Sequence, residues 1–334
     1  MSTTHTRPIL ITGAAGEVGS VSTTMVRMLL DAGWPVRAFV RTDDDRAAAL
    51  REAGADVFVG DLLNVADVAA ALQGCQRLYF SMGLSPYYVD ANLLMAAVAH
   101  AQGDLEVFVN ISESEQSLLT FDRMTAPEGV RLTWLGGTVS QWSPQQRAHW
   151  IGEQVLDWSG LPVVHIRASI FVENPIFAWF PIPDLLATGE LRLPFGDSKV
   201  APIAGYDVAE LCVNILKDPE PHVGKTYTLI GPELKTMYEF ADDYAAALKQ
   251  PVMYVPQDLE SWNSDYVDSA LAASKPHNGE HLKTLTRLMA CARYFDLPTD
   301  DLAELLGRAP KTLRFALENS TRIQADLSAA RSQS

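Results

Sequence analysis

Short apolar runs alternate with amphipathic stretches along the first half of the chain. The apolar runs predict buried strands at Pro8–Thr12, Val36–Val40, Asp56–Val59, Arg77–Ser81, Val107–Asn110 and Val163–Ile166. The amphipathic stretches predict helices over 17–32, 44–53, 65–73, 88–102 and 145–158. Because the apolar runs do not alternate with polar residues, both faces of each strand must be covered, as in a parallel sheet. The pattern predicts an α/β fold with a Rossmann-type, doubly wound parallel sheet.

The pattern changes after Arg167. Proline and aromatic residues crowd 171–195, which predicts a region that lines a substrate pocket. Further on, Asp207 introduces a helix over 208–216, and residues 227–230 predict another strand. We expect three parts, with these bounds: a Rossmann domain over 1–170 to which 200–231 return, a smaller and mostly helical C-terminal substrate or partner domain over 171–199 and 232–328, and a disordered tail at 329–334.

A glycine-rich turn lies between the first predicted strand and the first predicted helix. Gly13, Gly16 and Gly19 follow the spacing G-x-x-G-x-x-G, unlike the G-x-G-x-x-G of most dehydrogenases. Glycines let the backbone turn tightly and approach a pyrophosphate, and a helix N-terminus adds unpaired N–H groups. The turn predicts dinucleotide binding. The turn residues expected to contact the cofactor are Gly13, Ala15, Gly16, Glu17, Val18 and Gly19.

Composition and charge narrow the class of partner. The formal net charge of −15 over 334 residues argues against a nucleic-acid surface, which needs a basic patch. The sequence contains no run of about 18 apolar residues, so it predicts no membrane span. The three isolated cysteines suit a reducing compartment. We therefore expect a cytoplasmic protein that acts on a small-molecule acceptor. A homodimer and a regulatory protein partner both stay open.

Motifs spread over nearly the whole chain resemble the NmrA-like group of atypical short-chain dehydrogenases/reductases. They are G-A-A-G-E-V-G at 13–19, F-V-R at 39–41, G-D-L at 60–62, F-V-N-I-S at 108–112, H-W-I-G-E at 149–153, S-G-L-P at 159–162, I-R-A-S-I-F-V-E-N at 166–174, Y-D-V-A-E at 206–210, G-K-T-Y-T-L-I-G-P-E at 224–233 and G-R-A-P-K-T-L at 307–313. The resemblance implies a Rossmann-type domain, a small C-terminal domain and a bound NAD(P). By the same resemblance, the remaining cofactor contacts fall on Asp61 and Leu62 near the adenine, Ser81, Met82 and Gly83 near the ribose, and Asn110.

Arg41 stands at the end of the second predicted strand, where NAD-preferring enzymes usually carry an acid for the ribose 2′-hydroxyl. A cation there suits the 2′-phosphate of NADP, so we expect NADP(H) rather than NAD(H). Two other interpretations stay open. Arg41 could be a solvated residue at a strand end, or it could pair with the acids at 43–45. For Asp61, the alternative to an adenine contact is an N-cap of the helix at 65–73.

Candidate catalytic groups cluster after the fifth predicted strand. Ser112 occupies the place of the short-chain reductase serine that binds a substrate oxygen, and the long connection 111–144 follows it. The usual Tyr and Lys are missing, because no Tyr lies between Tyr88 and Tyr206 and no Lys precedes Lys199. His149 could hold the nicotinamide ribose or act as a weak proton donor near neutral pH, or it could pair structurally with Glu153.

Two further motifs have competing interpretations. Asn174 could contact the nicotinamide region or form a turn before the proline that follows it. His277, Glu280 and His281 spell H-x-x-E-H, but no third ligand is evident, so we expect no metal. Tyr87 and Tyr88 stand side by side at the start of the helix predicted over 88–102. They suit packing or ligand stacking better than acid catalysis.

Together these residues predict an NADPH-dependent reductase for a small conjugated or aromatic acceptor. The alternative is a non-catalytic NAD(P)-binding redox sensor that reports through a protein partner. The missing Tyr and Lys favour the sensor, whereas Ser112 and His149 at the reacting end favour the enzyme.

Overall fold

The fold is taken from a computed structural model, which describes residues 7–16, 18, 20–134, 142–291, 295, 299–319, 324–325 and 328. Within this part of the chain the strands are β1 (Ile9–Ile11), β2 (Val36–Val40), β3 (Asp56–Val59), β4 (Arg77–Phe80), β5 (Val107–Glu113), β6 (Val163–Ala168), β7 (Glu190–Leu193), β8 (Lys199–Val200), β9 (Thr226–Leu229), β10 (Lys235–Thr236) and β11 (Met253–Pro256).

The helices in the same part are α1 (Val21–Asp31), α2 (Asp45–Glu52), α3 (Val65–Leu72), α4 (Tyr88–Gln102), α5 (Phe121–Thr125), α6 (Glu128–Arg131), α7 (Pro144–Trp158), α8 (Pro175–Ala178), α9 (Ile182–Thr188), α10 (Gly205–Lys217), α11 (Met237–Leu248), α12 (Leu259–Trp262), α13 (Ser269–Leu271), α14 (Pro276–Met289), α15 (Leu302–Leu306) and α16 (Leu313–Asn319). A 3₁₀-helix covers Ser114–Ser117, and a π-helix covers Asn263–Asp268.

The chain forms two compact units. The first unit comprises Met1–Glu113, Arg147–Arg167 and Tyr206–Tyr227, and the second comprises Ser114–Gln146, Ala168–Gly205 and Thr228–Ser334. The segment 114–146, which the sequence assigned to the Rossmann part, thus groups with the second unit. In place of a single long connection it holds short helices up to residue 134, and residues 135–141 lie outside the described part.

A seven-stranded sheet with the order β3-β2-β1-β4-β5-β6-β9 forms the centre of the first unit. β1 pairs in parallel with both β2 and β4, so the chain reverses its direction of winding between β1 and β4. This order confirms the predicted doubly wound Rossmann-type sheet. In such sheets ligands bind beyond the carboxyl ends of the strands at the reversal point, which here lies beyond Ile11 and Phe80.

Helices cover the strands of the first unit, which explains why most positions of β1, β2 and β4 are apolar and buried, whereas the edge strand β3 is more exposed. On one side α3, α4 and α7 pack onto the sheet. The buried cluster there includes Leu10, Phe39, Leu78, Phe80 and Phe108 from the strands, with Val68, Leu72, Tyr88, Met95, Ala99 and Leu156 from the helices. At about 1.5–3 kcal/mol for each buried large side chain, this cluster supplies a major part of the unit's stability.

The first helix begins later than the sequence predicted. It starts at Val21 and not at residue 17, because Ser20 takes the left-handed conformation with φ of 47°. That conformation cannot continue an α-helix, so the turn after β1 is longer than predicted. The strand β5 in turn extends to Glu113, three residues beyond the predicted end.

The second unit has its own hydrophobic core, and much of the aromatic region 171–195 belongs to it. Phe177 and Phe195 are buried, and Phe177 packs against Phe240 of α11 with ring centroids 5.6 Å apart. Trp179 and Phe180 are half-buried against the same core. These side chains stabilise the unit, so the predicted pocket lining is wrong for Phe177 and Phe195. The predicted tail at 329–334 lies outside the described residues.

None of the helices in the described part of the chain is both long and apolar enough to span a bilayer.

Candidate cofactor and active site

The glycine turn follows β1 at the reversal point of the sheet. Gly13 has a φ of +62°, a conformation that a side chain makes costly, and Gly16 N–H donates to the carbonyl oxygen of Gly13 at 2.9 Å. Two hydroxyls from the first turn of α1 hold the turn. Ser22 Oγ donates to the carbonyl oxygen of Thr12 at 3.1 Å, and Thr23 Oγ1 donates to that of Ala14 at 2.7 Å.

Thr12 joins the ends of β1 and β4, a role that the sequence analysis missed. Its hydroxyl donates to the carbonyl oxygen of Ser81 and accepts from the backbone N–H of Ser81, both at 2.8 Å. A threonine directly before the first glycine is the signal that could have indicated this link. The link brings the glycine turn and the segment Ser81–Gly83 side by side.

The turn has the close backbone packing of a pyrophosphate-binding turn, in which a side chain is excluded at Gly13 and would be crowded at Gly16. A Cβ atom on Gly13 would lie 2.9 Å from the carbonyl oxygen of Ser81, and one on Gly16 would lie 3.1 Å from that of Gly13. Gly16 itself is exposed, so the backbone is accessible to a ligand. Val18 is also exposed and Ala15 is partly exposed, whereas Glu17 and Gly19 fall outside the described residues.

Arg41 is exposed directly after β2, and the nearby acids are held by other residues. Asp43 pairs with Arg51 at 2.6 Å, and Asp44 pairs with Arg46 at 2.6 Å while it caps α2. The hydrogen bond from Arg46 holds the pKa of Asp44 below its usual range. Pairing of Arg41 with these two acids is therefore wrong for this structure.

Asp61 and Leu62 follow β3. The carboxylate of Asp61 accepts from the backbone N–H of Leu63 at 3.0 Å, and the side chain is exposed. The N-cap of α3 is Asn64, whose side chain accepts from two backbone N–H groups. The alternative role of Asp61 as the helix cap is thus wrong, because the helix begins at Val65, four residues later. An adenine contact by Asp61 remains a prediction.

Ser112 lies near the end of β5 and carries a buried polar group that the protein leaves unpaired within the described residues. Its side chain is buried, and its Oγ has no hydrogen-bond partner among the described residues. Leaving a buried hydroxyl unpaired costs about 1–3 kcal/mol, so such groups tend to be retained for function. A hydroxyl that faces no protein partner is free to bond a ligand.

Asn110 stands two residues earlier on β5, and both polar atoms of its side chain have protein partners. Its Nδ2 lies 3.1 Å from Nδ1 of His165, and its Oδ1 accepts from Nδ2 of Asn92 at 3.3 Å. A cofactor contact by Asn110 was implied by the family resemblance. Each side-chain atom of Asn110 thus already has one protein partner, and a cofactor contact by Asn110 remains a prediction.

His149 on α7 lies close to Tyr88 and Glu113. Its ring centroid is 4.4 Å from that of Tyr88, and its Nε2 is 3.4 Å from a carboxylate oxygen of Glu113. Burial lowers the pKa of His149 to about 3, so the imidazole is neutral near pH 7 despite the carboxylate. The alternative partner, Glu153, forms its ion pair with Arg167 at 2.6 Å.

Tyr88 does not supply the missing acid. Its hydroxyl donates to the carbonyl oxygen of Ile111 at 3.3 Å, and burial, with Glu113 and Glu153 nearby, raises the pKa of its phenol well above the usual range. A phenol in this state holds its proton tightly, so Tyr88 packs, as the sequence predicted. Tyr87 beside it is exposed.

In the second unit, Asn174 and the H-x-x-E-H motif have structural partners. Asn174 caps α8 by accepting from the backbone N–H of Ile176 at 3.0 Å. His277 Nε2 lies 2.8 Å from Oε1 of Gln145, and His281 Nδ1 lies 2.9 Å from Oγ of Ser143. Within the described residues no cluster of three or more potential metal ligands occurs. Contact of Asn174 with a nicotinamide remains a prediction.

Comparison with known proteins gives related reductases and a regulator. Residues 13–219 match a family described as NAD(P)H-binding. An NAD(P)H azoreductase from Xenophilus azovorans is 27% identical over 305 residues, which cover 91% of this chain and 92% of that protein. The triphenylmethane reductase of Citrobacter sp., solved with NADP(H), gives a TM-score of 0.70 at 17% identity, over 94% of this chain and 99% of that one. NmrA, a negative transcriptional regulator, gives 0.73 at 19% identity, over 97% and 98%.

The family match covers more than half of the chain and includes the glycine turn, Arg41, Ser112 and His149. The structural matches have the same fold over nearly the whole length, which confirms the resemblance deduced from the motifs. This chain belongs to the NAD(P)H-binding family, and its fold is that of the NmrA-like group.

Proposed function

We propose that the protein is an NADPH-dependent reductase of a small conjugated or aromatic acceptor, such as a quinone, an enone, an azo compound or an aromatic cation. It acts without the Tyr/Lys pair of ordinary short-chain reductases. The observation that carries this proposal is the buried hydroxyl of Ser112 at the carboxyl end of β5, which has no hydrogen-bond partner within the described part of the chain.

Two relatives support this acceptor class. The 27% identical protein from Xenophilus azovorans is an NAD(P)H azoreductase, and a protein of the same fold is a triphenylmethane reductase. Azo and triphenylmethane compounds are both conjugated and electron-poor at the position that is reduced. The same chemistry suits a site whose described groups include no strong acid.

Different residues of the first unit bind different parts of the cofactor and the acceptor. The glycine turn at Gly13 and Gly16 admits the pyrophosphate, and the exposed guanidinium of Arg41 is placed to pair with a 2′-phosphate. When bound, the reduced nicotinamide supplies hydride chemistry. Ser112 donates its hydroxyl proton in a hydrogen bond to a heteroatom of the acceptor and so orients it.

The proton balance explains the choice of acceptor. A simple ketone develops a localised alkoxide, which needs a good acid worth roughly 10²–10⁴ in rate. Neither Tyr88, whose proton is held tightly, nor His149, which is neutral, meets that need. A conjugated or cationic acceptor delocalises or cancels the charge that it receives, so a hydrogen bond from Ser112 is sufficient.

The test is NADPH oxidation by the purified protein against a panel of quinones, conjugated enones, azo compounds, triphenylmethane cations and isolated aliphatic ketones. We expect turnover with at least one conjugated class and at least about 100-fold less with the aliphatic ketones. Efficient reduction of an aliphatic ketone would overturn the mechanism.

A second candidate function is a redox sensor that binds NAD(P) without turnover. The missing Tyr and Lys favour it, as does a fold shared with a transcriptional regulator. Tight NADPH binding with no turnover for any acceptor of the panel would establish this alternative and exclude the reductase.

A further inference from the structure

Four polar side chains form a continuous hydrogen-bonded chain through the first unit. Asp157 is exposed on α7, and its Oδ1 lies 3.0 Å from Nε2 of the buried His165 on β6. Nδ1 of His165 lies 3.1 Å from Nδ2 of Asn110, whose Oδ1 accepts from Nδ2 of Asn92 on α4 at 3.3 Å. The chain thus leads from the surface to a fully buried amide.

The far end of this chain is a polar atom without a partner. Asn92 is fully buried, and its Oδ1 has no hydrogen-bond partner among the described residues. It faces Gly152 of α7, where a Cβ atom would lie 3.4 Å away, and Tyr88 lies one helical turn before it on α4. Buried amides are usually satisfied, so this arrangement requires an explanation beyond packing.

We propose that Asp157, His165, Asn110 and Asn92 are a positioning relay for Ser112. The relay rests on the proposed function, in which Ser112 orients the acceptor. Asn110 and Ser112 are two residues apart on β5, so their side chains share a face of the strand. The relay holds Asn110 from β6 on one side and from α4 on the other, and so fixes the end of the strand that carries Ser112.

Asp157 sets the direction of every hydrogen bond in the relay. A carboxylate only accepts, so His165 must carry its proton on Nε2, which leaves Nδ1 as an acceptor for the amide of Asn110. With that amide donating to His165, its oxygen faces Asn92 and accepts from it. The unpaired group at the end is therefore the oxygen of Asn92.

The other charged side chains near His165 form an ion pair with each other. Glu153 on α7 pairs with Arg167, which lies two residues after His165 on β6, at 2.6 Å. Asp157 is thus the charged group in direct contact with His165, and a change at Asp157 acts on the relay first.

The direction of the hydrogen bonds in the relay is tested by NMR on the full-length protein with ¹⁵N-labelled histidine and asparagine. We expect His165 to carry its ring proton on Nε2, and the NH₂ signals of both Asn110 and Asn92 to shift in the variant Asp157→Asn. His222, which bonds Tyr227 in the same unit at 2.8 Å, is the internal control, and its ring signals should not change in that variant. An Nδ1–H form of His165, or an Asn92 signal that is unchanged in Asp157→Asn, overturns the relay.

The positioning role is tested with Asp157→Asn, because Asp157 is exposed and its replacement spares the core. We expect mixed His165 forms, at least fivefold faster hydrogen exchange at the Ser112 amide, and a roughly tenfold higher KM for the acceptor with the Kd for NADPH unchanged. Asp157→Glu should restore all three. The control Glu106→Gln, which removes a surface ion pair with Arg77, should change none.

The two proposals fail in different ways. If no acceptor is turned over, the proposed function fails, while the NMR signals and the Ser112 exchange rate still decide the relay. If turnover is found but the Ser112 exchange rate and the acceptor KM are unchanged in Asp157→Asn, the relay is wrong and the proposed function stands.

Discussion

The imidazole ring of His149 packs against the phenol ring of Tyr88, with the ring centroids 4.4 Å apart and both side chains buried. Both groups are neutral near pH 7, the imidazole because it is buried and the phenol as any tyrosine is at that pH. Burial lowers the pKa of His149 to about 3 and raises that of Tyr88. The sequence-based hypothesis that His149 is a weak proton donor near neutral pH is therefore not supported by its surroundings.

The neutral state of His149 should make the protein less stable in acid. Because its folded pKa is lowered to about 3, the unfolded chain takes up a proton below its ordinary pKa of 6.5, while the folded protein does not. This stability is present above pH 6.5 and is lost as the pH falls toward 3. Between pH 7 and pH 5 the loss amounts to about 2 kcal/mol. The measurement is the free energy of unfolding by urea at both pH values, for the parent and for His149→Gln. The variant should lose about 2 kcal/mol less, and equal losses would show that His149 titrates normally.

Ser112→Ala should lower activity and raise stability. The variant removes a buried hydroxyl that has no described partner, so the free energy of unfolding should rise by about 1 kcal/mol. Turnover of a conjugated acceptor should fall about 10- to 100-fold, because the hydrogen bond that orients it is lost. Thermal unfolding and steady-state kinetics measure the two effects. The matched control is Ser22→Ala, which removes a satisfied bond to Thr12 and should destabilise the protein. A destabilised Ser112→Ala would mean that the hydroxyl has a structural role.

Arg41→Ala should narrow the preference for NADPH over NADH by about tenfold or more. One charge-assisted contact with the 2′-phosphate is worth about 1.5–3 kcal/mol, and Asp43 and Asp44 are already paired elsewhere. The affinities of both cofactors are measured by fluorescence titration. Arg27→Ala, a change of the same charge on an exposed position of α1, should leave the ratio unchanged. Equal affinities in the parent protein would remove the basis of the NADP assignment.

Gly16→Val and Gly13→Ala should separate cofactor binding from folding. Gly16 is exposed with an ordinary φ, so valine there should abolish dinucleotide binding while the protein stays folded. At Gly13 the positive φ and the 2.9 Å approach to Ser81 should cost at least about 1–2 kcal/mol as well as binding. Gly33→Ala shares the positive φ but meets nothing within 4 Å, so it should cost stability alone. Unchanged cofactor affinity in Gly16→Val would show that the turn has another role.

The elements of the first unit could be predicted from the sequence to within a few residues. The bounds of β2, β3 and α4 are the predicted ones, because the two strands are short, mainly apolar runs and α4 is a long stretch without glycine or proline that ends at Gly103. The start of α1 could not be predicted in the same way. It depends on the left-handed conformation of Ser20, which no periodicity records.

The partners of the buried polar side chains could not be predicted from the sequence either. Asn110 meets Asn92 and His165, which lie 18 and 55 positions away in the chain. His149 meets Glu113 of β5, whereas Glu153, its neighbour on the same helix, forms an ion pair with Arg167. Local spacing indicates the contacts within one helix or strand, whereas these pairings depend on which strands become neighbours. The sequence could thus indicate Ser112 and His149 as candidates but not the groups that determine their charge.

The order of the strands has a consequence for how the protein is made. In the seven-stranded sheet, β9 pairs with the outer edge of β6. During synthesis β9 leaves the ribosome only after residues 114–146 and 168–205, which belong to the second unit. A nascent chain that ends after residue 167 would expose β6 as an unpaired strand edge, which is prone to aggregate. The glycine turn at Gly13 is thus synthesised first but acquires a complete sheet beneath it only after about 230 residues. Fragments that end before β9 should therefore need a chaperone to stay dispersed.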